Sequence, residues 1–417
     1  MSDRILPLLF ICFLLLLLDW YIYNAIRAVR PKRAGFQRAF PYLWWGYSIL
    51  LIAGVFISIF LNIRLNLRAV ILVSFFLTAL SKIVLLPFIL VDDIRRGVIW
   101  IKNRFFKKGS ARPEHPAKND SISRSDFILK AGMAAAAIPF ASLTYGIVSG
   151  AYDYQVNRRK LYLPNLPKAF DGITIGQISD IHSGSFYNKT AVSGGVDMLL
   201  AEKPDTIFFT GDIVNSLASE IRDYQDIFSR VKAPLGVFST LGNHDYGDYY
   251  FGKEPSAAKS RNLVEIKKIH KNLNWDLLLN ENRRLTIDGE EIAVIGIENW
   301  GAGRFLKYGR MDLAVKDTDD VPVKLLLSHD PSHWRAQVLK DYPQIDVMFS
   351  GHTHGMQFGV ITPNFQWSPI EYIYKEWAGL YREKHQQLYV NVGYGFLGYP
   401  GRVGILPEIT IFELKRG

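Results

Sequence analysis

Ile173-Thr174-Ile175-Gly176-Gln177-Ile178 runs straight into Ser179-Asp180-Ile181-His182, and this junction decides how the second half of the chain reads. Six residues rich in Ile and Thr, entered from Gly172, make a short buried strand. The next four set a carboxylate and an imidazole at its carboxyl end. The arrangement recurs: Thr206–Phe209 leads into Thr210-Gly211-Asp212, and Gly236–Ser239 is followed closely by Gly242-Asn243-His244-Asp245. Val323–Leu327 leads into Ser328-His329-Asp330, and Asp346–Phe349 into Ser350-Gly351-His352-Thr353-His354-Gly355. Three further strands are expected at Ile292–Ile297, Leu388–Val392 and Ile409–Phe412. Helical patterns at Ala191–Ala201, Ile221–Val231, Ala258–Leu273 and Trp334–Leu339 fill the gaps. Strands alternating with helices predict a layered α/β domain, in which sites gather in the crevice beyond the carboxyl ends of the strands.

That convergence sets an electrostatic condition. Carboxylates held together cannot all stay ionised without a counter-charge. Neutral imidazoles supply none, but they are good metal ligands, and divalent cations meet the need. The chain's single cysteine, Cys12, excludes a disulfide framework and a thiolate zinc site. Oxygen and nitrogen donors suit Mn, Fe or Zn without choosing among them. Seven ligands exceed what one tetrahedral ion needs, so two divalent ions are expected, with Asp212 a candidate bridge.

The ordered series Asp-x-His, Gly-Asp, Gly-Asn-His-Asp, His, Gly-His-Thr-His resembles the calcineurin-like metallophosphoesterase family, from about Phe170 to Leu414. The resemblance implies a four-layer α/β/β/α sandwich. It implies that Asp180, His182 and His354 hold one metal, that Asn243, His329 and His352 hold the other, and that Asp212 bridges. His244 would act beside the substrate phosphate and Asp245 would orient His244. The implied reaction is hydrolysis of a phosphate ester or diester by two-metal activation of water. Asn215 stands where relatives often carry an acid, and Gly355-Met356-Gln357 where many have Gly-Gly-Gln. A non-catalytic metal-bound scaffold or sensor is the alternative, although such a protein is expected to have lost ligands that this chain keeps.

The first 150 residues differ in kind. Apolar runs at Ile5–Tyr23, Tyr42–Leu61, Ala69–Val91 and Phe127–Val148 approach the roughly 20 residues that cross a bilayer. Their charges are few: Asp19, Lys82, and Lys130 near the start of the fourth. A bundle of about four transmembrane helices is therefore expected over 1–150, ahead of a metallophosphoesterase domain over 151–417. Asn24–Phe40 carries Arg27, Arg30, Lys32, Arg33 and Arg38 without an acid, and Asp92–Asp126 carries nine Lys or Arg, Lys107 and Lys108 among them. The link between spans two and three offers only Arg64 and Arg68. The positive-inside rule then sets both rich loops in the cytoplasm and the catalytic domain outside it, with a bacterial cytoplasmic membrane as the expected location. Ser123-Arg124-Ser125-Asp126-Phe127 resembles a twin-arginine export signal lacking its second arginine.

Topology thus accounts for much of the formal net charge of +10 across 417 residues, and nucleic acid is not favoured as a partner. With 49% hydrophobic residues, the chain has material for a large core, which excludes disorder as its main state. Phe358, Phe365, Trp367, Tyr372, Tyr374, Trp377 and Tyr381 cluster behind the last ligand motif. They suggest a lipid-linked or small phosphorylated substrate met at the membrane surface, or simply a loop packed onto the sheet. Arg402 offers a guanidinium either for substrate phosphate or for a structural salt bridge. The remaining histidines are read as bystanders: His333 near a helix start, His270 on a charged helical face, His385 solvated, and His115 in the irregular loop Ala111–Asp120.

Overall fold

A computed structural model describes residues 2–29, 34–61, 65–106, 123–303 and 305–417. Arg30, Lys32, Arg33, Arg64, Lys107, Lys108, His115 and the loop Ala111–Asp120 lie outside the described residues. The chain divides into two compact units, Met1–Thr144 and Tyr145–Gly417.

The first unit is helical: α1 (Ser2–Val29), α2 (Ala34–Phe60), α3 (Leu65–Phe106) and most of α4 (Arg124–Val148). All four helices are long and apolar enough to cross a membrane. Large apolar side chains such as Leu43, Leu50 and Val70 face outward, as a lipid-facing surface demands. The helix α3 outruns its expected span. At 42 residues it measures about 63 Å, and it carries Arg95, Arg96, Lys102 and Arg104 as helix, where a loop was expected from Asp92 onward. Arg95 donates to Asp92 and to Ser125 at the start of α4, so its charge is neutralised locally.

Lys82, whose depth in the third span had no evident reason in the sequence, pairs with Asp19 of α1. Its ammonium also lies 5.5 Å from the Trp44 ring centroid. Removing one partner of such a pair leaves a charge stranded in an apolar medium. Lys82→Met is expected to destabilise the detergent-solubilised full chain by about 3 kcal/mol, and adding Asp19→Asn to recover most of that. Thermal melts of both variants check it; a double variant no better than the single would show that the pair contributes nothing.

The second unit carries two six-stranded sheets. The first contains β1 (Gln155–Leu163), β2 (Thr174–Ile178), β3 (Thr206–Phe209), β4 (Val237–Ser239), β5 (Asp276–Leu277) and β14 (Glu408–Arg416), in the order β1-β14-β2-β3-β4-β5. The second contains β6 (Glu281–Ile287), β7 (Glu290–Gly296), β8 (Lys324–Leu327), β9 (Val347–Ser350), β12 (Gly379–Glu383) and β13 (Gln386–Val390), in the order β12-β13-β9-β8-β7-β6. A small hairpin pairs β10 (Val360–Ile361) with β11 (Gln366–Trp367). The run β2, β3, β4 is parallel, as is the run β7, β8, β9.

Alternation along each strand divides the core in two directions. Ile175, Phe208, Leu325, Leu327, Val347 and Phe349 share one cluster between the sheets. Ile178, Ile207 and Phe209 face α5 (Lys189–Ala201) and the helix Ala257–Asn272, through Val192, Val196, Ile266 and Ile269. Leu326 and Met348 face Trp334, Val338 and Met311 on the far side. The result is a four-layer α/β/β/α sandwich. Both parallel runs end at one edge, so the loops after β2, β3, β4, β8 and β9 share a crevice.

Candidate metal centre

Those five loops carry the predicted residues, and the fold brings them together. Ligand atoms of Asp180, His182 and His354 lie within 4.8 Å of one another. So do those of Asp212, His329 and His352, and those of His182, Asp212 and His244. Asp212 Oδ2 stands 3.5 Å from His182 Nε2 and 3.1 Å from His329 Nε2, between the two groups. His354 Nε2 is 3.3 Å from Asp180 Oδ1.

The backbone is bent to achieve this. Asp180, His182, Asp212, His352 and His354 all hold φ between 46° and 73°, the left-handed region that non-glycine residues rarely enter. Such strain persists only where the surroundings over-determine it, and it collects at functional sites. Two glycines allow the approach: a Cβ on Gly351 would strike the Asp180 carboxylate, and one on Gly242 the Asp212 carboxylate.

Surrounding groups fix the orientation of each ligand. His329 Nδ1 donates to the Thr210 carbonyl at 2.7 Å, which turns its Nε2 toward Asp212. His182 Nδ1 meets Asn215 Oδ1 at 3.1 Å, and the His182 Nε2 atom is buried near two carboxylates without a hydrogen-bond partner. His354 Nε2 and Asn243 Oδ1 are likewise buried and unpartnered by hydrogen bonds. Native interiors rarely leave such atoms unsatisfied. Orphaned nitrogen and oxygen donors aimed at clustered carboxylates fit divalent cations.

The charge balance says the same. Burial pushes the Asp212 carboxyl up, yet His329 and His244 outweigh it and hold it well below the usual range. Burial pushes His329 down, yet Asp212 and then Asp180 lift it to about 10. The crevice therefore demands positive charge, and a proton on His329 answers the same need as a metal ion.

Two predicted roles are corrected. Asp245 does not touch the His244 ring. Its carboxylate accepts from the backbone N–H groups of Asp212 and Ile213, both at 2.9 Å, and of Gly242 at 2.8 Å. It ties the two loops together and so positions Asp212. His244 takes its orientation from the Asn215 carbonyl, 2.7 Å from Nδ1, and stacks on Tyr249 with centroids 4.4 Å apart. Arg402 cannot serve a substrate phosphate: it is fully buried, and its guanidinium donates to the carbonyls of Val392, Gly393, Gly395 and Ile405.

The bystander histidines sort differently from expectation in one case. His270 is fully buried against Ser239, Phe209 and Trp275 and not on a solvated face. His333 bonds Ser328 and Gln337, and His385 is exposed with Nε2 on the Pro343 carbonyl. Sequence reasoning missed Tyr249 as a site residue, and named Asn215 only as a departure from the family pattern and Tyr374 only as one of an aromatic cluster. Tyr374 contacts His352 Nε2 at 2.7 Å. Asn215 had a visible signal, three residues beyond Asp212; the tyrosines had none beyond aromatic density.

Comparison with known proteins agrees with this geometry. The family model "Calcineurin-like phosphoesterase" matches residues 173–356, and "Probable Calcineurin-like phosphoesterase, transmembrane domain" matches residues 3–151. A "Transmembrane protein with metallophosphoesterase domain" from Danio rerio is 29% identical over 279 residues, which cover 65% of this chain and 60% of the relative. "Uncharacterized metallophosphoesterase YkuE" from Bacillus subtilis is 29% identical over 60% of this chain and 82% of the relative. "UDP-2,3-diacylglucosamine pyrophosphatase LpxG" from Chlamydia trachomatis is 28% identical over 55% of this chain and 81% of that protein.

Proposed function

We propose that the chain is a membrane-anchored, two-metal phosphoesterase acting outside the cytoplasm; the matches of residues 173–356 to the calcineurin-like phosphoesterase family and of residues 3–151 to its transmembrane domain support this reading. The observation that carries the proposal is the convergence of three Asp/His groups from both sheets on one crevice, with buried donor atoms left unpartnered.

In this reading Asp180, His182 and His354 hold one divalent cation, Asn243, His329 and His352 hold a second, and Asp212 is shared. Bound there, such a pair makes water a nucleophile at neutral pH and stabilises charge on the phosphate oxygens. The chain's own part is positional. Asp245 keeps the Asp212 and Gly242 loops in register, and Asn215 serves two imidazoles at once. His244, with its Nδ1–H committed to a carbonyl, presents Nε2 to the leaving oxygen and would deliver a proton there from the doubly protonated ring. The substrate class proposed is a phosphate or pyrophosphate ester on a small or lipid-linked molecule. The Chlamydia relative, named as a pyrophosphatase of a diacylglucosamine nucleotide, supports that class without fixing the substrate.

The full chain loaded with Mn is expected to cleave a soluble aryl phosphate ester. His244→Ala is expected to lower kcat about a hundredfold at unchanged metal content, since it removes a proton donor and no ligand. No hydrolysis across monoester, diester and pyrophosphate probes by the metal-loaded chain would refute the proposal. The orientation has a separate check. A reporter that functions only after export, fused behind Gly417, is expected to be active, and a silent fusion would reverse the topology.

A further inference from the structure

We propose that the excursion from Met356 to Ile373 is a lipid-contacting element that sets the mouth of the metal centre at the headgroup level of a bilayer. The proposal rests on the phosphoesterase reading above and adds where the substrate is met.

The segment has the composition of an interface and not of a solvated loop. Residues 356–370 contain no charged side chain. Phe358, Val360, Ile361, Phe365, Tyr372 and Ile373 are all exposed, Phe365 at 61% and Tyr372 at 78%. Six large apolar or aromatic groups gathered on one excursion make a patch that a solvated monomer seldom shows. The strands β10 and β11 hold it as a hairpin, with Phe365 at the turn, where its carbonyl accepts from Thr362 N at 2.8 Å.

Both ends of the excursion are fastened to metal-centre residues. It leaves directly after His354-Gly355, and Ser368 Oγ returns a hydrogen bond to the Gly355 carbonyl at 2.8 Å. It closes at Tyr374, whose hydroxyl sits 2.7 Å from His352 Nε2. Whatever the hairpin touches is therefore held beside the crevice.

The base of the hairpin is also bonded, within the same unit, to the loop segment Arg402–Val403, which meets the end of α4. Val403 N donates to the Gln357 carbonyl at 2.8 Å, and Gly359 N donates to the Val403 carbonyl at 3.0 Å. One residue earlier, Arg402 N donates to the carbonyl of Gly146 in the last turn of α4 at 3.1 Å. The helix α4 is among those long and apolar enough to span a membrane. Within this unit the apolar hairpin is thus two hydrogen bonds from Gly146, in the last turn of a helix long and apolar enough to span a membrane. Aromatic side chains with a polar edge, such as Tyr372 and Trp367, favour a membrane–water boundary.

The test uses the full chain with Cys12→Ser, reconstituted in vesicles of phosphatidylcholine and phosphatidylglycerol. A nitroxide attached through Phe365→Cys is expected to collide more readily with oxygen than with a water-soluble nickel chelate. A control label through Lys268→Cys, on the exposed face of the helix Ala257–Asn272, is expected to show the reverse. Equal nickel accessibility at the two positions overturns the proposal, and so does spin–spin broadening at the hairpin, which would mean that a second copy covers it. Activity gives an independent arm. Phe365→Ser combined with Ile361→Ser is expected to slow cleavage of a vesicle-borne, long-chain aryl phosphodiester about tenfold, while cleavage of the soluble ester stays within about twofold. An equal loss on both substrates overturns it. The label measurement needs no turnover, so failure of the phosphoesterase reading and failure of the lipid contact are read separately.

Discussion

Asp212→Ala is expected to abolish hydrolysis, with kcat/KM falling by about four orders of magnitude. The carboxylate stands at the centre of the crevice, 3.1 Å from His329 Nε2 and 3.5 Å from His182 Nε2. Its other oxygen accepts the His244 backbone N–H at 2.8 Å. Truncation therefore removes the negative charge facing both imidazole groups and the bond that seats His244. Asp212→Asn separates the two effects: it keeps an oxygen for His244 but deletes the charge. It is expected to fold with an unaltered melt, yet to retain only about half of the metal found by elemental analysis in the parent, because the shared charge is what a second cation requires. A full complement of metal with wild-type turnover in Asp212→Asn would contradict the two-metal reading.

Which parts of this centre can be read without coordinates follows from burial. The eight strands expected from the sequence are the inner strands β2, β3, β4, β7, β8, β9, β13 and β14. Each is packed on both faces and so spells a continuous apolar run. The four strands with no such signature are β1, β5, β6 and β12, the two outer edges of each sheet. Edge strands carry charge to discourage further pairing, as in Asn157-Arg158-Arg159-Lys160 of β1 and Arg283-Arg284 of β6, and the charge erases the pattern. His270 misled for a related reason. Its neighbours Lys267, Lys268 and Lys271 give a charged stretch, but the helix turns the imidazole inward against Phe209 and Trp275. The helix α3 ran on past Asp92 because basic side chains on a helix can reach water while its backbone stays bonded.

The site divides along the same line. Ligand identities are side-chain facts, announced by motif. The supports are main-chain facts: the Thr210 carbonyl under His329, the Asn215 carbonyl under His244, and the three N–H groups on Asp245. A carbonyl's direction depends on φ and ψ, and no residue type spells it. Asp245 was therefore visible as a motif residue while its actual partner, the Asp212 loop, was not.

Arg402→Met is the second large effect, and it falls on stability instead of on substrate binding. The guanidinium is enclosed, and its donors serve carbonyls of Val392, Gly393, Gly395 and Ile405 along the loop behind Asp180 and His354. Burial pulls its pKa down to about 10, with Asp180 opposing, so it stays charged at neutral pH. Methionine fills comparable volume but leaves the Val392, Gly395 and Ile405 carbonyls in a dry interior without that donor, while Gly393 keeps the Glu408 N–H. Each unmet group costs about 1–3 kcal/mol, so the sum over three is expected to be at least about 3 kcal/mol, a large share of the stability of a domain. Arg402→Lys supplies three donors from one point where a planar fork is needed, and should recover only part of the loss. A thermal melt of both variants measures this, and KM for a soluble aryl ester in Arg402→Lys separates the two roles for Arg402. A guanidinium that binds phosphate would raise KM in a variant that still melts normally. A guanidinium that braces the loop lowers the melt and leaves KM near the parent value, because the mouth of the crevice never included it.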